Sequence, residues 1–381
     1  MAPTEPFGSP LPWAEPSWYD EIPLSDFREQ HNDKQEVTDL KRYSGHPSPY
    51  YKESHYKLRA HLRKWVDDTF TGKSEEWEAA GAIPPEFYHE CAKAGLLVPI
   101  AAGKTIPKEW EKYGIVAGIK AEEWDGFHDL ILWDELTRGG AIASLFIGLV
   151  VGAPPLRHFA SKQLQQKILP EILSGEKRIC LAITEPAAGS DVRNITTTAE
   201  KTKDGKHYIV NGEKKWITNG MFSDYFMTAV RTGGEGAEGI SMLLIPRTEG
   251  IMTRKIEIGA GGFSATTYVS FDDVKVPAEY LIGQEGFGFM YTMTNFNHER
   301  LWIVFQALRG SRLALQDAME WAQKREAFGV KLIDQPVVRW KFGNMGRQVE
   351  ALAAWAEKLV YELENLSDLE GESFNRLFCL A

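Results

Sequence analysis

The sequence predicts an α+β fold in which an N-terminal helical domain, a middle antiparallel β-domain and a C-terminal helical domain follow one another. Three observations carry this prediction. Apolar residues recur at helical spacing over residues 51 to about 172, short β-branched runs between glycine-containing turns fill roughly residues 178–283, and helical spacing returns beyond them. Domains built in this order bind ligands in the seams between their layers.

The length and composition limit the classes of protein that fit. The chain has 381 residues, and at about 150 residues per domain this predicts two or three domains. Its 43% hydrophobic and 25% charged residues are ordinary for a soluble globular protein. The formal net charge of −10 argues against nucleic acid as the main partner, because phosphate binding needs a basic surface.

The N-terminal arm, residues 1 to about 50, is rich in proline and acidic side chains and has neither a secretory-signal nor a transit-peptide pattern. We expect it to lie across a neighbouring surface, with Trp13 and Trp18 as its anchors. The apolar run Ala141–Ala153 is too short to span a bilayer, and the C-terminus carries no peroxisomal tripeptide. The expectation is therefore a cytoplasmic protein without a membrane span.

The three cysteines, Cys91, Cys180 and Cys379, are far apart and odd in number. Their spacing does not suit a zinc or redox pair and indicates buried thiols in a reducing compartment. No metal-ligand cluster is visible among the nine histidines, so no metal site is predicted.

The N-terminal helical domain begins with one apolar stripe at helical spacing, formed by Tyr51, Tyr56, Leu58, Leu62, Trp65 and Val66. The segment PPEFYHECAKAGLL predicts a short helix that ends at Gly95, a residue suited to the C-cap. The segments FHDLILWDELTRGG, Ala141–Ala153 and SKQLQQKILPEILSG complete the helical block.

The middle domain begins at Arg178, where short β-branched runs separated by Asn-Gly, Gly-Gly and Asp-Gly turns replace the helical pattern. Helical spacing returns from Phe287 to Arg325 and from about Gln335 to Leu366. These changes set the predicted divisions at residues 1–50, 51–177, 178–283 and 284–381.

The segment CLAITEPAAGSDVRNITTTA is the strongest candidate for a binding site. A strand ends at Thr184, Glu185 and Pro186, and a turn of small residues passes through Gly189 and Ser190. Small residues let a backbone approach a ligand closely, and hydroxyls can bind its polar edge. Taken alone, the segment is more typical of a β-bend capped by Ser190 and Asp191.

A second candidate is GEKKWITNG, in which Trp216 and Thr218 stand two apart on one face of a strand. An aromatic ring beside a hydroxyl suits a planar heterocycle, although a half-buried Trp before an Asn-Gly turn has the same pattern.

A third candidate is Arg325 with Phe328 at a helix end, with Gly329 as the expected cap. Arg325 could clamp a phosphate or be a solvated cation favoured by the helix dipole.

The fourth candidate is Glu299, which precedes the apolar run Leu301–Phe305 on the predicted helix. Its helical neighbours are Asn295, Trp302, Ile303 and Gln306, whereas Arg300 is rotated by about 100°. A carboxylate among apolar neighbours has a raised pKa, which suits a general base for a weakly acidic carbon. A surface ion pair with Arg300 is the alternative.

In this order and at these intervals, LAITEPAAGSD, WITNG, VSFDDVKVP, the Glu-Arg helix and KREAFG resemble the acyl-CoA dehydrogenase family. The resemblance covers Tyr50 to about Leu366. It implies a helical N-terminal domain, a middle β-barrel and a C-terminal helical bundle, with FAD between the last two. Homodimers or homotetramers, an acyl-CoA substrate, and an electron acceptor protein or oxygen are also implied.

The resemblance assigns individual roles. The flavin would contact Leu181, Ala182, Ile183, Thr184, Gly189, Ser190, Trp216, Ile217 and Thr218. Arg325 and Phe328 would reach the FAD of a neighbouring subunit. Ser190, Asn297 and Arg300 would hold the acyl-CoA. Glu299 matches the base position of a subset of the family, so it would abstract the α-proton while the β-carbon passes a hydride to the flavin.

The sequence departs from the family pattern in three ways. It lacks the family's last helices and late glycine-rich loop, so the predicted C-terminal bundle is incomplete and leaves an apolar face exposed. Pro336 follows Gln335 where many members have a flavin-contacting glutamine, and the N-terminal arm is longer than usual. Two alternatives follow: a flavin oxidase acting on a non-CoA metabolite, and a non-catalytic remnant or interaction protein.

Overall fold

A computed structural model describes residue 13 and residues 49–70, 72–73, 76–77, 80, 83–258 and 264–365. The N-terminal part contains six α-helices, counted over the described residues. They are α1 (Glu53–Thr69), α2 (Pro85–Lys93), α3 (Leu97–Ala102), α4 (Gly126–Arg138), α5 (Ile147–Phe159) and α6 (Lys162–Leu173). The α+β class and the order helical, sheet, helical are confirmed.

Helix α1 forms because one face is apolar, and it buries Leu58, Leu62 and Val66 as the sequence predicts. Helix α2 ends as predicted, because Gly95 follows its C-cap with a φ of +75°, a conformation that glycine adopts without strain.

Helix α4 is the central helix of the N-terminal part and is buried from Gly126 to Leu136. Its N-cap is Asp125, whose carboxylate accepts hydrogen bonds from the backbone N–H groups of Phe127 and His128. The helix packs against α1 on one side and the first C-terminal helix on another, so it links the two helical parts.

The middle part is an eight-stranded sheet. Its strands are β1 (Ile179–Ala182), β2 (Thr198–Lys201), β3 (His207–Ile217), β4 (Tyr225–Arg231), β5 (Ile240–Pro246), β6 (Ile251–Lys255), β7 (Thr267–Pro277) and β8 (Leu281–Ile282). The strand order is β6-β7-β3-β2-β4-β5-β8, and β1 pairs with β4.

The predicted antiparallel barrel is wrong in two respects. Strands β6 and β8 end the sheet and do not pair with each other within the described residues, so the sheet is not closed. Strand β1 runs parallel to β4, and β2 pairs in parallel with β4 at one position. A parallel pair needs a long crossover, and the chain between β1 and β4 supplies it through β2 and β3.

The C-terminal part consists of α7 (Gly288–Lys324) and α8 (Pro336–Glu364), joined by a short hairpin of β9 (Glu326–Ala327) and β10 (Val330–Lys331). Both helices agree with the sequence prediction to within two residues. Gly329 does not cap α7, because Arg325 is the C-cap and Gly329 lies in the hairpin turn with a φ of +76°. Pro336 is the first residue of α8, where its missing N–H costs nothing.

The expected anchoring of the N-terminal arm is supported at one position. Trp13 packs against Leu315, Met319 and Phe342, and its carbonyl accepts a hydrogen bond from Nη1 of Arg312 at 3.0 Å. Trp18 and Cys379 lie outside the described residues. Cys91 and Cys180 are buried and carry free thiols, as predicted.

One continuous apolar core joins the N-terminal helices, the sheet, the first half of α7 and the end of α8. Among the described residues, the structure contains no helix with the combined length and apolarity that crossing a membrane requires.

Candidate active site

The small-residue turn predicted from the sequence follows directly on β1. Strand β1 ends at Ala182, and the chain then passes along β3, where the carbonyl of Thr184 accepts a hydrogen bond from the backbone N–H of Lys215 at 2.8 Å. The turn closes through hydrogen bonds between the backbones of Glu185 and Ala188. Gly189 and Ser190 follow the turn directly and are exposed.

Trp216 is held in an unusual backbone conformation at the end of β3. Its φ is +66°, and the pairing of β3 with β7 is irregular between Lys214 and Ile217. Non-glycine residues with positive φ are uncommon and cluster at functional sites. The indole is 51% exposed, with the ammonium of Lys215 4.7 Å from its ring centroid. A large aromatic ring is thus presented to solvent. Thr218 is half-buried and lies beyond the end of β3 at Ile217, so the two residues do not share the regular strand face that the sequence predicts.

The first half of α7 lies against the same turn. Phe289 and Phe296, two turns apart on one face of α7, pack against a buried cluster that contains Ile183 and Ala188. Glu299 is three residues beyond Phe296 and therefore shares this face. The structure thus brings the turn and the Glu299 face of α7 together. The end of β3 is joined to the turn by the hydrogen bond between Lys215 and Thr184.

Glu299 is the least satisfied acid of this region. Its Oε2 atom is buried and accepts no hydrogen bond from any residue that the structure describes. Burial raises the pKa of Glu299 above its ordinary value of 4.5, and the charges of Arg300 and His298 offset part of this shift. A buried carboxylate oxygen without a donor costs free energy, and a ligand group that donates to it would remove that cost.

The neighbouring Arg300 is exposed, so it stands at the rim of the region. Its Nη1 donates a hydrogen bond to Oδ1 of Asn297 at 3.2 Å, and its guanidinium lies 6.0 Å from the ring centroid of Phe296. The pair Asn297 and Arg300 therefore offers a polar, positively charged edge next to Glu299.

Arg325 and Phe328 lie far from these residues. They follow the end of α7, about 39 Å along the helix axis from Glu299 at 1.5 Å per residue. Phe328 is 100% exposed and has a φ of +54°. Within one chain these two side chains cannot contribute to the site beside Glu299.

One cavity among the described residues lies beside α7. It has a volume of about 330 Å³ and is lined by Pro154, Pro155, Phe159, His298, Leu301 and Leu363, among others. Glu299 does not line it. His298 Nε2 is 2.8 Å from Oδ2 of Asp129. The other oxygen of Asp129, Oδ1, accepts a hydrogen bond from the Trp133 indole. Asn297 also lines the cavity, so the cavity adjoins one of the predicted substrate-binding residues.

Sequence reasoning missed a buried polar junction between α1 and α4. The ring nitrogens His55 Nε2 and His128 Nδ1 are each 2.8 Å from Oδ1 of Asp125, and Lys52 Nζ is 2.8 Å from Oδ2. Three such ligand atoms within 4.8 Å can suit a metal ion. The contacts are hydrogen-bonding distances and Lys52 covers the second oxygen, so we interpret the group as a structural junction.

Sequence reasoning also missed a buried ion pair below the candidate site, between Lys214 and Glu185 at 2.8 Å. Neither residue was singled out as a site residue, since a Lys in a strand is ordinarily exposed. The signal that could have found it is the alternation of β3, which places Lys214 on the same inward face as Val210.

These features fit the flavin that the resemblance implies. The exposed Trp216 ring, the Thr184 and Thr218 hydroxyls, and the small residues Gly189 and Ser190 suit a planar, polar-edged ligand. The orphaned Glu299 carboxylate suits a substrate placed against that ligand.

Comparison with known proteins bears on the same residues. Residues 52–176, 180–274 and 286–373 match the family models described as acyl-CoA dehydrogenase N-terminal, middle and C-terminal domain. Acyl-CoA dehydrogenase apdG of Emericella nidulans is 46% identical over 336 residues, which cover 86% of this chain and 76% of the relative. Acyl-CoA dehydrogenase AFT10-1 of Alternaria alternata is 35% identical, covering 96% and 80%.

Solved structures agree. The crystal structure of a probable acyl-CoA dehydrogenase from Mycobacterium abscessus matches with a TM-score of 0.74 at 31% identity, covering 82% of this chain and 81% of that one.

Proposed function

The chain belongs to the acyl-CoA dehydrogenase family, and from this premise we propose that Glu299 is the base that takes the α-proton of its acyl-CoA substrate. FAD-dependent dehydrogenation of acyl-CoA thioesters is the activity of the family, and this chain is such an oxidoreductase. The acyl group and the residues that act on it are the subject of the proposal.

The buried Oε2 of Glu299 is the observation that carries the proposal. The bond that breaks is the substrate's α-C–H bond, and its proton passes to this oxygen. Burial raises the pKa of the carboxylate and so makes it a stronger base than an exposed one. When FAD is bound, it supplies the redox chemistry by accepting a hydride from the β-carbon.

The cofactor-binding surface in this proposal has two parts. The first is the end of β1 and its turn, with Leu181, Ala182, Ile183, Thr184, Gly189 and Ser190. The second is the irregular end of β3, with Trp216, Ile217 and Thr218. Their support is that the backbones of the two parts are joined by hydrogen bonds and that an indole beside them is exposed.

The acyl-CoA would lie along the Glu299 face of α7. Ser190, just after the turn, would face its pantetheine part, and Asn297 and Arg300 would bind its polar part. The exposed, charged position of Arg300 supports this role, because a guanidinium binds phosphate and carbonyl oxygens with several donors.

Members of the family are oligomeric and use electron-transfer flavoproteins as partners. We extend both properties to this chain as proposals: a homodimer or homotetramer in which Arg325 and Phe328 contact the FAD of a neighbouring subunit, and an acceptor that is an electron-transfer flavoprotein or oxygen. The exposed Phe328 supports the first, since it lies too far from Glu299 to serve its own site. The cytoplasmic location and the divisions at residues 50, 177 and 283 stay predictions.

The test is flavin bleaching. We expect purified protein to carry FAD and its visible band to bleach when one of a panel of acyl-CoAs is added without oxygen. Glu299→Gln should stop bleaching while FAD stays bound, because the amide keeps the size of the side chain and cannot accept the proton.

The matched control is Glu320→Gln, an exposed-side substitution on the same helix that should bleach normally. Bleaching by Glu299→Gln at the wild-type rate would remove Glu299 as the base. Bleaching by a non-CoA metabolite but by no acyl-CoA would favour the oxidase alternative.

A further inference from the structure

Lys214 and Glu185 form an ion pair inside the sheet, directly below the proposed cofactor surface. The side chains of both residues are at most 2% exposed, and Lys214 Nζ is 2.8 Å from Oε1 of Glu185. Burial lowers the pKa of Lys214 to about 8, whereas for Glu185 the nearby ammonium and hydrogen bonds outweigh burial and lower the pKa to about 2. Both groups are therefore charged at neutral pH.

The pair ties together the two parts of the cofactor surface. The Lys214 ammonium also donates to the carbonyl of Ile183 at 3.0 Å, which holds the end of β1 against β3. The Glu185 carboxylate accepts from the backbone N–H groups of Thr196 and Thr197 and from the Thr196 hydroxyl. One buried cluster thus connects the small-residue turn, the chain that returns to β2, and β3.

The backbone hydrogen bonds of the sheet do not by themselves hold the two parts of the cofactor surface together. Pairing between β3 and β7 is irregular between Lys214 and Ile217, which is where Trp216 adopts its positive φ. Lys214 is the last regularly paired residue before the irregularity. Its side chain therefore fixes the point from which the Trp216 backbone departs, and the same side chain fixes Ile183 next to Thr184.

We propose that Lys214 and Glu185 are positioning residues that hold Thr184 and Trp216 in register for the flavin. This inference rests on the proposed function. Neither side chain reaches the surface, so neither contacts the cofactor, and both act through the backbone they hold. A buried charged pair is costly to form, and replacing such a pair with apolar groups is often neutral for stability, so a pure folding role explains its presence poorly.

The experiment compares FAD affinity with fold stability in Lys214→Met, Glu185→Gln and the double variant. The FAD dissociation constant of the apo-protein is measured by flavin titration, and stability by urea unfolding of the apo-protein. We expect each single variant to weaken FAD binding about tenfold, because displacing a binding backbone by a fraction of an ångström costs that much. The double variant should be no weaker than the worse single variant, because the two residues act as one unit.

The matched control is Arg309→Met, which breaks a buried ion pair with Asp134 between α7 and α4. It should lower stability in urea without changing FAD affinity. A second readout is the visible band of the flavin at saturating FAD, which should move toward that of free FAD in Lys214→Met and stay unchanged in Arg309→Met.

The outcomes separate the two claims. A wild-type protein that binds no FAD removes the proposed function and the role of the pair with it. If the wild-type protein binds FAD and Lys214→Met binds it equally well, only the positioning role of the pair is contradicted.

If the buried variants do not fold, Thr196→Val tests the positioning role instead, since it deletes one exposed-side hydrogen bond to Glu185. An unchanged FAD affinity and flavin spectrum in Thr196→Val then overturns the inference.

Discussion

At the scale of single residues, Glu299 shows how position on a helix sets the chemistry of a carboxylate. Two neighbours in sequence, Glu299 and Arg300, differ in burial because they are rotated by about 100° around the helix axis. Arg300 is solvated and paired with Asn297, whereas Oε2 of Glu299 is buried without a donor among the described residues. The same dipeptide on a fully exposed helix would be an ordinary surface pair.

The raised pKa of Glu299 predicts the pH dependence of the reaction. The base must be ionised, so kcat/KM should rise with pH along a limb whose apparent pKa lies above 4.5, the ordinary value of a Glu. Stopped-flow bleaching across pH 4 to 8 (a range of about four units around the expected limb) measures it. A limb at or below the ordinary value would contradict the desolvation argument, and Glu320→Gln should leave the limb in place.

At the scale of elements, α4 depends on a polar junction at its first turn. Asp125 caps the helix and accepts hydrogen bonds from two buried histidines, His55 and His128, which hold the pKa of Asp125 well below 3.8 although burial opposes the shift. The neighbouring charges are Lys52, on the second Asp125 oxygen, and Glu364 of α8, which accepts from the Gly126 backbone N–H. The junction therefore joins α1, α4 and α8.

This junction predicts a loss of stability in mild acid. Burial lowers the pKa of His128 to about 4 and also lowers that of His55, so the folded protein binds fewer protons than the unfolded chain below pH 6.5. Stability should be fully present above pH 6.5 and fall as the pH drops toward 4, by about 3 kcal/mol for His128 by itself.

Urea unfolding at several pH values measures this loss, and His128→Gln should make the curve less steep between pH 6.5 and 4, leaving the contribution of His55. The exposed His89 provides the control, because His89→Gln should keep the wild-type curve. An unchanged curve in His128→Gln would show that the acid sensitivity arises elsewhere.

At the scale of the whole molecule, α7 connects regions that cannot meet within one chain. It is 37 residues long, with Glu299 near its start and Arg325 just beyond its end. If Arg325 and Phe328 complete a flavin site, that site belongs to another subunit. In a symmetric dimer this contribution is reciprocal: each subunit places its Arg325 and Phe328 at the partner's flavin site and receives the same two residues from it.

Mixed oligomers test this exchange. Glu299→Gln and Arg325→Ala should each be inactive or strongly impaired alone. Co-expressed in equal amounts they should recover about a quarter of the wild-type activity in a dimer, because half of the dimers are mixed and each mixed dimer has one intact site. Recovery is measured as bleaching rate per mole of subunit. No recovery, with mixed oligomers demonstrated by differential tags, would place Arg325 in its own subunit's site. An Arg325→Ala variant that is fully active alone would place Arg325 outside any site.

Much of this fold was predictable because its signals are local. The limits of α7 and α8 follow from uninterrupted helical spacing. The α+β order follows from the replacement of helical spacing by short β-branched runs at Arg178. The barrel expectation failed because strand pairing is non-local: the parallel pairing of β1 with β4 is set by the crossover between them, which no single segment encodes. The position of Gly329 was misjudged because two residues before it the chain had already entered a hairpin.

The sequence by itself determined the family, the class of cofactor and the candidate residues, because these depend on ordered motifs that survive in one dimension. The tertiary structure decided what surrounds those residues. It placed Lys214 and Glu185 in contact although 29 positions separate them, set Trp216 in a strained and exposed conformation, and left Oε2 of Glu299 without a donor among the described residues. The reason is physical: burial and hydrogen-bond satisfaction depend on packing between elements distant in the chain, and these quantities set pKa and binding geometry.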